Sequence, residues 1–361
     1  MNRRTVGVEE EFLLLDPATG DNRSAADKVL ADLPEPFRRR GRREFRPCMV
    51  EMVTDVCTGL DELTSQLLAG RRAASAAADG HGAALVAIGA TPVGERMRAP
   101  TADPRFRDIA RHYGPIARDP AVCGCHVHVD VPDRELAVAI CTRLRGWLPV
   151  IQALAVNSPL FEGGDTGYAS WRSIQLERWP SLGPWPHLRS VADYKRTVAS
   201  LIASGEMLDE SMVLWYARPS AKFPTVEVRI ADVCAEARDT VLVAGLVRGL
   251  VDTVAGEPDE PEISDSLLHA AHWNAARDGL RGTLLDARSG LARPAWDLVG
   301  DLVSLVLPAL RRHGDVELVT AGLDRIRREG TGADRQRRVF QGSGSVAVVL
   351  DYLAEATVRD A

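Results

Sequence analysis

The chain has 361 residues, 45% hydrophobic and 26% charged, a balance that sustains a sizeable core in one large domain or two closely joined ones. A net charge of -6 argues against a nucleic-acid or anionic-membrane surface, and with Lys28, Lys195 and Lys222 as the only lysines, arginine must supply most phosphate or carboxylate binding. Six irregularly spaced cysteines make no disulfide framework, apolar stretches fall short of the roughly 20 residues that span a bilayer, and no signal peptide is visible, so a reduced, cytoplasmic protein is expected.

The run from Val6 to Leu15 predicts a first strand that aims Glu9 and Glu11, two residues apart, at one face. Burying such a pair raises both pKa values and removes hydration unless cations or arginines compensate; the plain alternative is a solvated edge strand. Asp16 to Gly20 predicts a turn with a returning strand. An extended segment then runs from Arg43 to Glu51, interrupted at Pro47, with Glu44 and Glu51 bracketing Arg46. A helix capped by Thr58 or Asp61 is expected through Ala78, followed by a strand from Ala83 to Ile88.

Further strands are predicted from Val122 to Val131, Met212 to Tyr216 and Thr225 to Val233, with helices from Asp133 to Val156 and Val191 to Ala203. After about residue 235 the pattern turns helical, with segments from Arg238 to Ala255, Asp265 to Arg277, Ala295 to Arg311, Val316 to Glu329 and Ser345 to Ala356. The acidic loop Gly256 to Pro261 is the best boundary within what reads as one domain, a strand-rich core over 1–235 and a helical part over 236–361. Strands and helices without steady alternation point to α+β with an antiparallel sheet. No phosphate-binding Gly-x-x-x-x-Gly-Lys or Gly-x-Gly-x-x-Gly motif is present, so any nucleotide is held another way.

Cys123-Gly124-Cys125-His126-Val127-His128-Val129-Asp130 carries zinc-type ligands. A strand puts Cys123, Cys125, Val127 and Val129 on one face and His126, His128 and Asp130 on the other, so one ion cannot easily collect all of them. The cysteines read as core filler, and two hydrogen-bonded histidines are a plainer reading than zinc. In Thr225 to Ala231 the same alternation presents Glu227 and Arg229 together, either as a surface ion pair worth under about 1 kcal/mol or as part of a site. Repetition of the device on three strands favours a shared polar sheet face. The Gly-rich stretch from Phe161 to Arg172, followed by Arg178, reads as a loop over that face, with 157–189 as a lid, or as plain surface. Gly330 to Arg337 reads as a helix start with exposed arginines.

Together these stretches resemble a known family, the bacterial carboxylate-amine ligases of the glutamate-cysteine ligase type 2 group. The matching segments are GVEEEFLLLDPATG from Gly7, VEMVTDVCTG from Val50, CGCHVHVDVPDRE from Cys123, NSPLFEGGDTGYASWRS from Asn157, VEVRIADVC from Val226 and GTGADRQRRVF from Gly330. The resemblance implies a glutamine-synthetase-like fold: a curved antiparallel β-sheet with helices packed on one face and the active site on the other. It implies that ATP phosphorylates a carboxylate and an amine displaces the phosphate, the expected substrates being the γ-carboxylate of glutamate with cysteine or another amine. By the same resemblance Glu9, His126 and Glu227 share one metal and Glu11 with Glu51 another, with Glu44 beside them.

Mg²⁺ is the expected ion, Mn²⁺ a substitute, and Arg229 the expected neutraliser of the transferring phosphoryl group. Arg172 is assigned to carboxylate or phosphate recognition, and His128 and Arg178 to nucleotide contact. Expected partners are ATP and small amino-acid or amine substrates, with no nucleic acid and no membrane, and a homodimer as the guess for assembly. Rival readings are a guanidino kinase-like phosphotransferase, a non-catalytic nucleotide- or metal-binding protein with the same fold, and a zinc hydrolase.

Overall fold

Strand β1 (Val6–Leu15) is the hub of the sheet, because its ten residues are long enough to pair with three neighbours. In the computed structural model, which describes residues 3–258 and 262–360, β2 (Gly41–Arg43), β3 (Met49–Val53), β4 (Ala84–Val86), β5 (Gly124–Asp130), β6 (Ala217–Pro219) and β7 (Thr225–Asp232) complete it. The strand order is β6-β7-β5-β1-β3-β2, with β4 on the C-terminal half of β1, and every pairing is antiparallel. The expected α+β class with an antiparallel sheet is what the structure has.

Period-two alternation divides the sheet into two chemically distinct faces. Val6, Val8, Cys125, Val127, Val226 and Val228 point into one core, shared with the helices Arg134–Leu144, Leu148–Leu154 and Ala237–Val254. That core reaches Val306 in Ala295–His313 and Ile326 in Val316–Glu329, so the C-terminal helices and the strands bury one another. Part of the acidic loop expected as a boundary, residues 259–261, lies outside the described residues. Among the described residues no helix is long and apolar enough to cross a membrane.

Glu10 belongs to the helix side. It is 1% exposed and takes a bidentate pair from Arg71 of the helix Leu60–Asp79, Nη2 to Oε1 at 2.6 Å and Nε to Oε2 at 2.9 Å, with Thr240 Oγ1 donating to Oε1 at 2.6 Å. Arg71 spends its remaining donors on the carbonyls of Cys234, Ala235 and Thr357, so the buried charges are paired and hydrogen-bonded, the condition under which such a pair is tolerated.

Several expected boundaries shift for local reasons. The helix expected over 133–156 is two, because Pro149 lacks an N–H and is accommodated only in the first turn of the second. Neither Thr58 nor Asp61 caps Leu60–Asp79; Gly59 occupies the cap, and Glu62 reaches back to Thr58. After the Asp16–Gly20 turn only Asn22 bridges back to Leu15 before a helix, Ala26–Asp32, begins. In place of a strand over 212–216, Leu214–Trp215 pairs in parallel with Leu182–Gly183, and the neighbour of β7 is β6. The helix Gly332–Ser343 starts with a Thr331–Asp334 capping box, but Arg335 and Arg337 are buried on Asp239 and Asp165 and not exposed.

Candidate active site

The register of β1, β3, β5 and β7 brings the polar groups into direct opposition: Glu9 faces His126, Glu11 faces Glu51, and Glu227 faces His128. Two groups of three result, Glu9 with His126 and Glu227, and Glu11 with Glu44 and Glu51. Within each, one ligand atom per residue lies within 4.8 Å of the others.

The first group is internally compensated. Glu9 Oε2 lies 3.4 Å from His126 Nδ1, and its Oε1 lies 3.4 Å from His128 Nε2. Glu227 receives Arg218 through Nε at 2.8 Å and Nη2 at 3.2 Å, and Arg229 as a second guanidinium. Burial raises the pKa of both carboxyls, but His126 and His128 around Glu9, and Arg229 and Arg218 around Glu227, outweigh it and hold both well below the ordinary carboxylate range. Burial and the nearby Arg229 charge lower the pKa of His126, favouring the neutral imidazole that binds metals.

The second group is not compensated. Glu11 accepts the Gly124 N–H at 2.6 Å and Glu44 the Phe45 N–H at 3.1 Å, yet among the described residues none of the three carboxyls has a guanidinium in salt-bridge contact. Burial raises the pKa of all three; the Glu44 charge pushes Glu11 up further, and the Glu44 and Glu9 charges add to burial in holding Glu51 well above the usual range. Like charges placed directly across an antiparallel pair are destabilising, so this arrangement asks for a cation. Three carboxylate oxygens suit a hard divalent ion such as Mg²⁺, and the two carboxylates and imidazole of the first group suit Mg²⁺ or Mn²⁺. The donor chemistry therefore fits the expected ions, and Glu44 joins the second group fully. Cys123 and Cys125 point into the cores, where burial pushes both thiols up and away from metal-binding thiolate.

Arg229 sits on a β-bulge. The β7–β5 register shifts between Val228 and Ala231, and the Arg229 amide donates instead to the Tyr216 carbonyl at 2.8 Å. Arg172, from the helix Trp171–Leu176, donates to the bulge carbonyls, Nη1 to Ile230 at 3.2 Å and Nη2 to Arg229 at 3.3 Å. Its Nε is buried without a hydrogen-bond partner. Gly124 makes room for it, since a Cβ there would collide with the guanidinium.

A cavity of about 370 Å³ opens beside these groups. Glu11, Glu44, His126, Arg172 and Arg229 supply its polar lining, and Phe45, Phe106, Ile109, Trp179 and Met212 much of its apolar lining. His128 does not line it; its Nδ1 pairs with Thr225 Oγ1 at 2.9 Å and Phe223 packs edge-on against its ring. Arg178 is not brought into the group either: its side chain is 58% exposed and pairs with Asp119 at 3.0 Å, because the chain leaves the helix before reaching it. The stretch expected as a lid, 157–189, is tied to the sheet at its start: Asp232 accepts from the Asn157 N–H at 2.8 Å, Ser158 Oγ at 2.7 Å and Ser170 Oγ at 2.8 Å. Sequence reasoning missed Arg218, Gly124, Asp119 and Gln175; only the hairpin placing Arg218 opposite Glu227 offered a signal, visible once its register is known.

The model of the family described as "Glutamate-cysteine ligase family 2(GCS2)" matches residues 5–351. A Salinispora arenicola protein, provisionally named glutamate--cysteine ligase 2, is 58% identical over 358 residues, covering 98% of this chain and 95% of the relative. Two solved structures share the fold. A glutamate--cysteine ligase of Francisella tularensis in complex with AMP superposes with a TM-score of 0.70 at 11% identity, over 99% of this chain and 89% of that one. A bifunctional glutathione synthetase of Pasteurella multocida gives 0.69 at 13% identity, over 98% of this chain and 52% of that one, so this chain spans about half of the Pasteurella protein.

Proposed function

The chain belongs to glutamate-cysteine ligase family 2 and is a ligase, and from that premise we propose that it joins a carboxylate to an amine with ATP through an acyl phosphate, with Glu9, Glu11, Glu44, Glu51, His126 and Glu227 holding the divalent ions. The carboxylate oxygen attacks the γ-phosphorus of ATP and ADP leaves; the amine nitrogen then attacks the acyl carbon, phosphate leaves, and one proton is shed. The uncompensated carboxylate triad Glu11, Glu44 and Glu51, beside the compensated Glu9, His126 and Glu227, is the observation that carries this reading.

Mg²⁺, when bound, supplies charge neutralisation at the phosphate oxygens and orientation of the triphosphate. The chain supplies the rest. Arg229, held on the bulge by Arg172, faces the cavity and offers its guanidinium to the transferring group, while Arg172, which also lines the cavity, is assigned to carboxylate or phosphate recognition. Apolar walls keep water from the acyl phosphate, which would otherwise hydrolyse. His128, whose Nε2 lies 3.4 Å from Glu9 Oε1, is assigned to the nucleotide side. Glutamate is the proposed carboxylate donor.

The test is ADP release with Mg²⁺ across a matrix of acids and amines, with mass spectrometry of the products. An amide with stoichiometric ADP and phosphate is expected. A phosphorylated guanidine without phosphate release, or ATP binding with no product from any pair, overturns the proposal.

A further inference from the structure

We propose that Phe223, in the turn of the β6–β7 hairpin, is the platform on which the base of the nucleotide stacks. This rests on the ligase reading and adds to it a residue that holds the nucleoside from outside the cavity.

Direction along β5 is the first ground. Gly124, His126 and His128 share one face of that strand. Gly124 lies against the Arg172 guanidinium and His126 lines the cavity, whereas His128 does not. The strand therefore leaves the cavity between His126 and His128, and Glu9, His126 and Glu227 gather at the crossing. In phosphoryl transfer the attacking and leaving oxygens lie roughly in line, on opposite sides of the phosphorus. A substrate carboxylate in the cavity beside Arg172 and Arg229 thus sends ADP out toward His128.

The second ground is what stands beyond. Nε2 of His128 lies 3.4 Å from Glu9 Oε1, and its ring meets Phe223 edge-on with centroids 5.9 Å apart. The register agrees: Thr225 pairs with Asp130, the last residue of β5, so Phe223 sits past the end of that strand. One imidazole separates Phe223 from a carboxylate of the metal-binding group, a gap that the phosphates and ribose of a nucleotide span.

The third ground is a ring both open and held. Phe223 is 53% exposed, and its perpendicular contact with His128 occupies at most one face. A single exposed apolar side chain is ordinary on a protein surface, but the turn that carries this one is braced. Ser220 Oγ accepts the N–H groups of Lys222 at 3.4 Å and Phe223 at 3.3 Å, and Arg134 Nη1 donates to the Ser220 carbonyl at 2.6 Å. Pro224 restricts the Phe223 backbone to extended conformations. Every base offers a π-face to such a ring, and a pre-ordered ring loses little entropy when one stacks on it.

The experiment is titration calorimetry of the full chain with Mg²⁺, using ADP and inorganic pyrophosphate as probes, on wild type and Phe223→Ala. Phe223 belongs to neither large hydrophobic core, so the variant is expected to fold. Wild type should bind ADP more tightly than pyrophosphate, and Phe223→Ala should weaken ADP by about tenfold or more while pyrophosphate moves by less than about twofold. In turnover, KM for ATP should rise by more than kcat falls. Unchanged ADP affinity in Phe223→Ala, equal losses for the two probes, or a wild type that does not prefer ADP overturns the inference. Selective weakening of ADP with no amide formed from any acid and amine would sink the ligase reading and leave the inference standing. Amide formation with an unmoved KM for ATP in Phe223→Ala would do the reverse.

Discussion

Arg172 holds the backbone of Arg229: its Nη2 donates to the Arg229 carbonyl at 3.3 Å while Nη1 takes the neighbouring Ile230 carbonyl at 3.2 Å. One arginine of the candidate site thereby braces the backbone that carries the other, at the point where the β7–β5 register shifts.

Arg172→Lys is expected to lower kcat by about 10- to 100-fold, since an ammonium cannot reproduce the planar fork that spans two carbonyls. Steady-state kinetics beside a melting curve checks this. Wild-type turnover in that variant would remove Arg172 from the mechanism.

Gly124→Ala puts a methyl group against the same guanidinium and next to the amide that serves Glu11. Overpacking of this kind costs about 1–3 kcal/mol, and the displaced Arg172 should reduce activity more than that loss of stability would. Denaturant unfolding and kcat measured together decide it; proportionate losses would mean that Gly124 is merely a packing position.

Neighbouring glutamates of β1 should fail in opposite ways. Glu9→Gln is expected to abolish amide formation with a small change in stability, and His126→Ala likewise. Glu10→Gln leaves Arg71 buried without its counter-charge and should cost about 3–5 kcal/mol of stability, while the folded fraction keeps its turnover. Glu227→Gln should lose both, because Arg218 and Arg229 would stay buried without a full partner. Specific activity per folded molecule separates the three cases.

Removing divalent ions should make stability fall as pH rises above the ordinary carboxylate value of 4.5. Glu11, Glu44 and Glu51 have folded pKa values raised above their ordinary 4.5, so the stability they contribute is complete below that value and is lost as pH rises through their folded values. Glu9 and Glu227, shifted downwards, act only on the acid side, whereas His126, His272 and His313, also shifted downwards, add stability as pH rises through their ordinary 6.5, so the triad is read from the difference between ion-free and ion-bound protein. Melting curves in chelator across this range, repeated with Mg²⁺, test it: the slope should flatten when the ion is restored, and an equal slope with and without the ion would deny the triad a cation.

The sequence alone determined which residues share a face. Period two is local, so Glu9 with Glu11, His126 with His128 and Glu227 with Arg229 could be paired without knowing any neighbouring strand, and Cys123 and Cys125 could be sent to the core. The helical tail was likewise visible in its spacing of Leu, Val and Ala. What stands opposite what is a non-local matter, fixed by hydrogen bonds between strands distant in the chain. Only the tertiary structure could therefore set Glu51 across from Glu11, bring Glu44 beside them from an irregular segment, turn Glu10 onto Arg71, and pin Arg229 under Arg172. The aromatic lining of the cavity was out of reach for the same reason, since Phe45, Phe106 and Trp179 come from three unrelated segments that meet only when the chain folds.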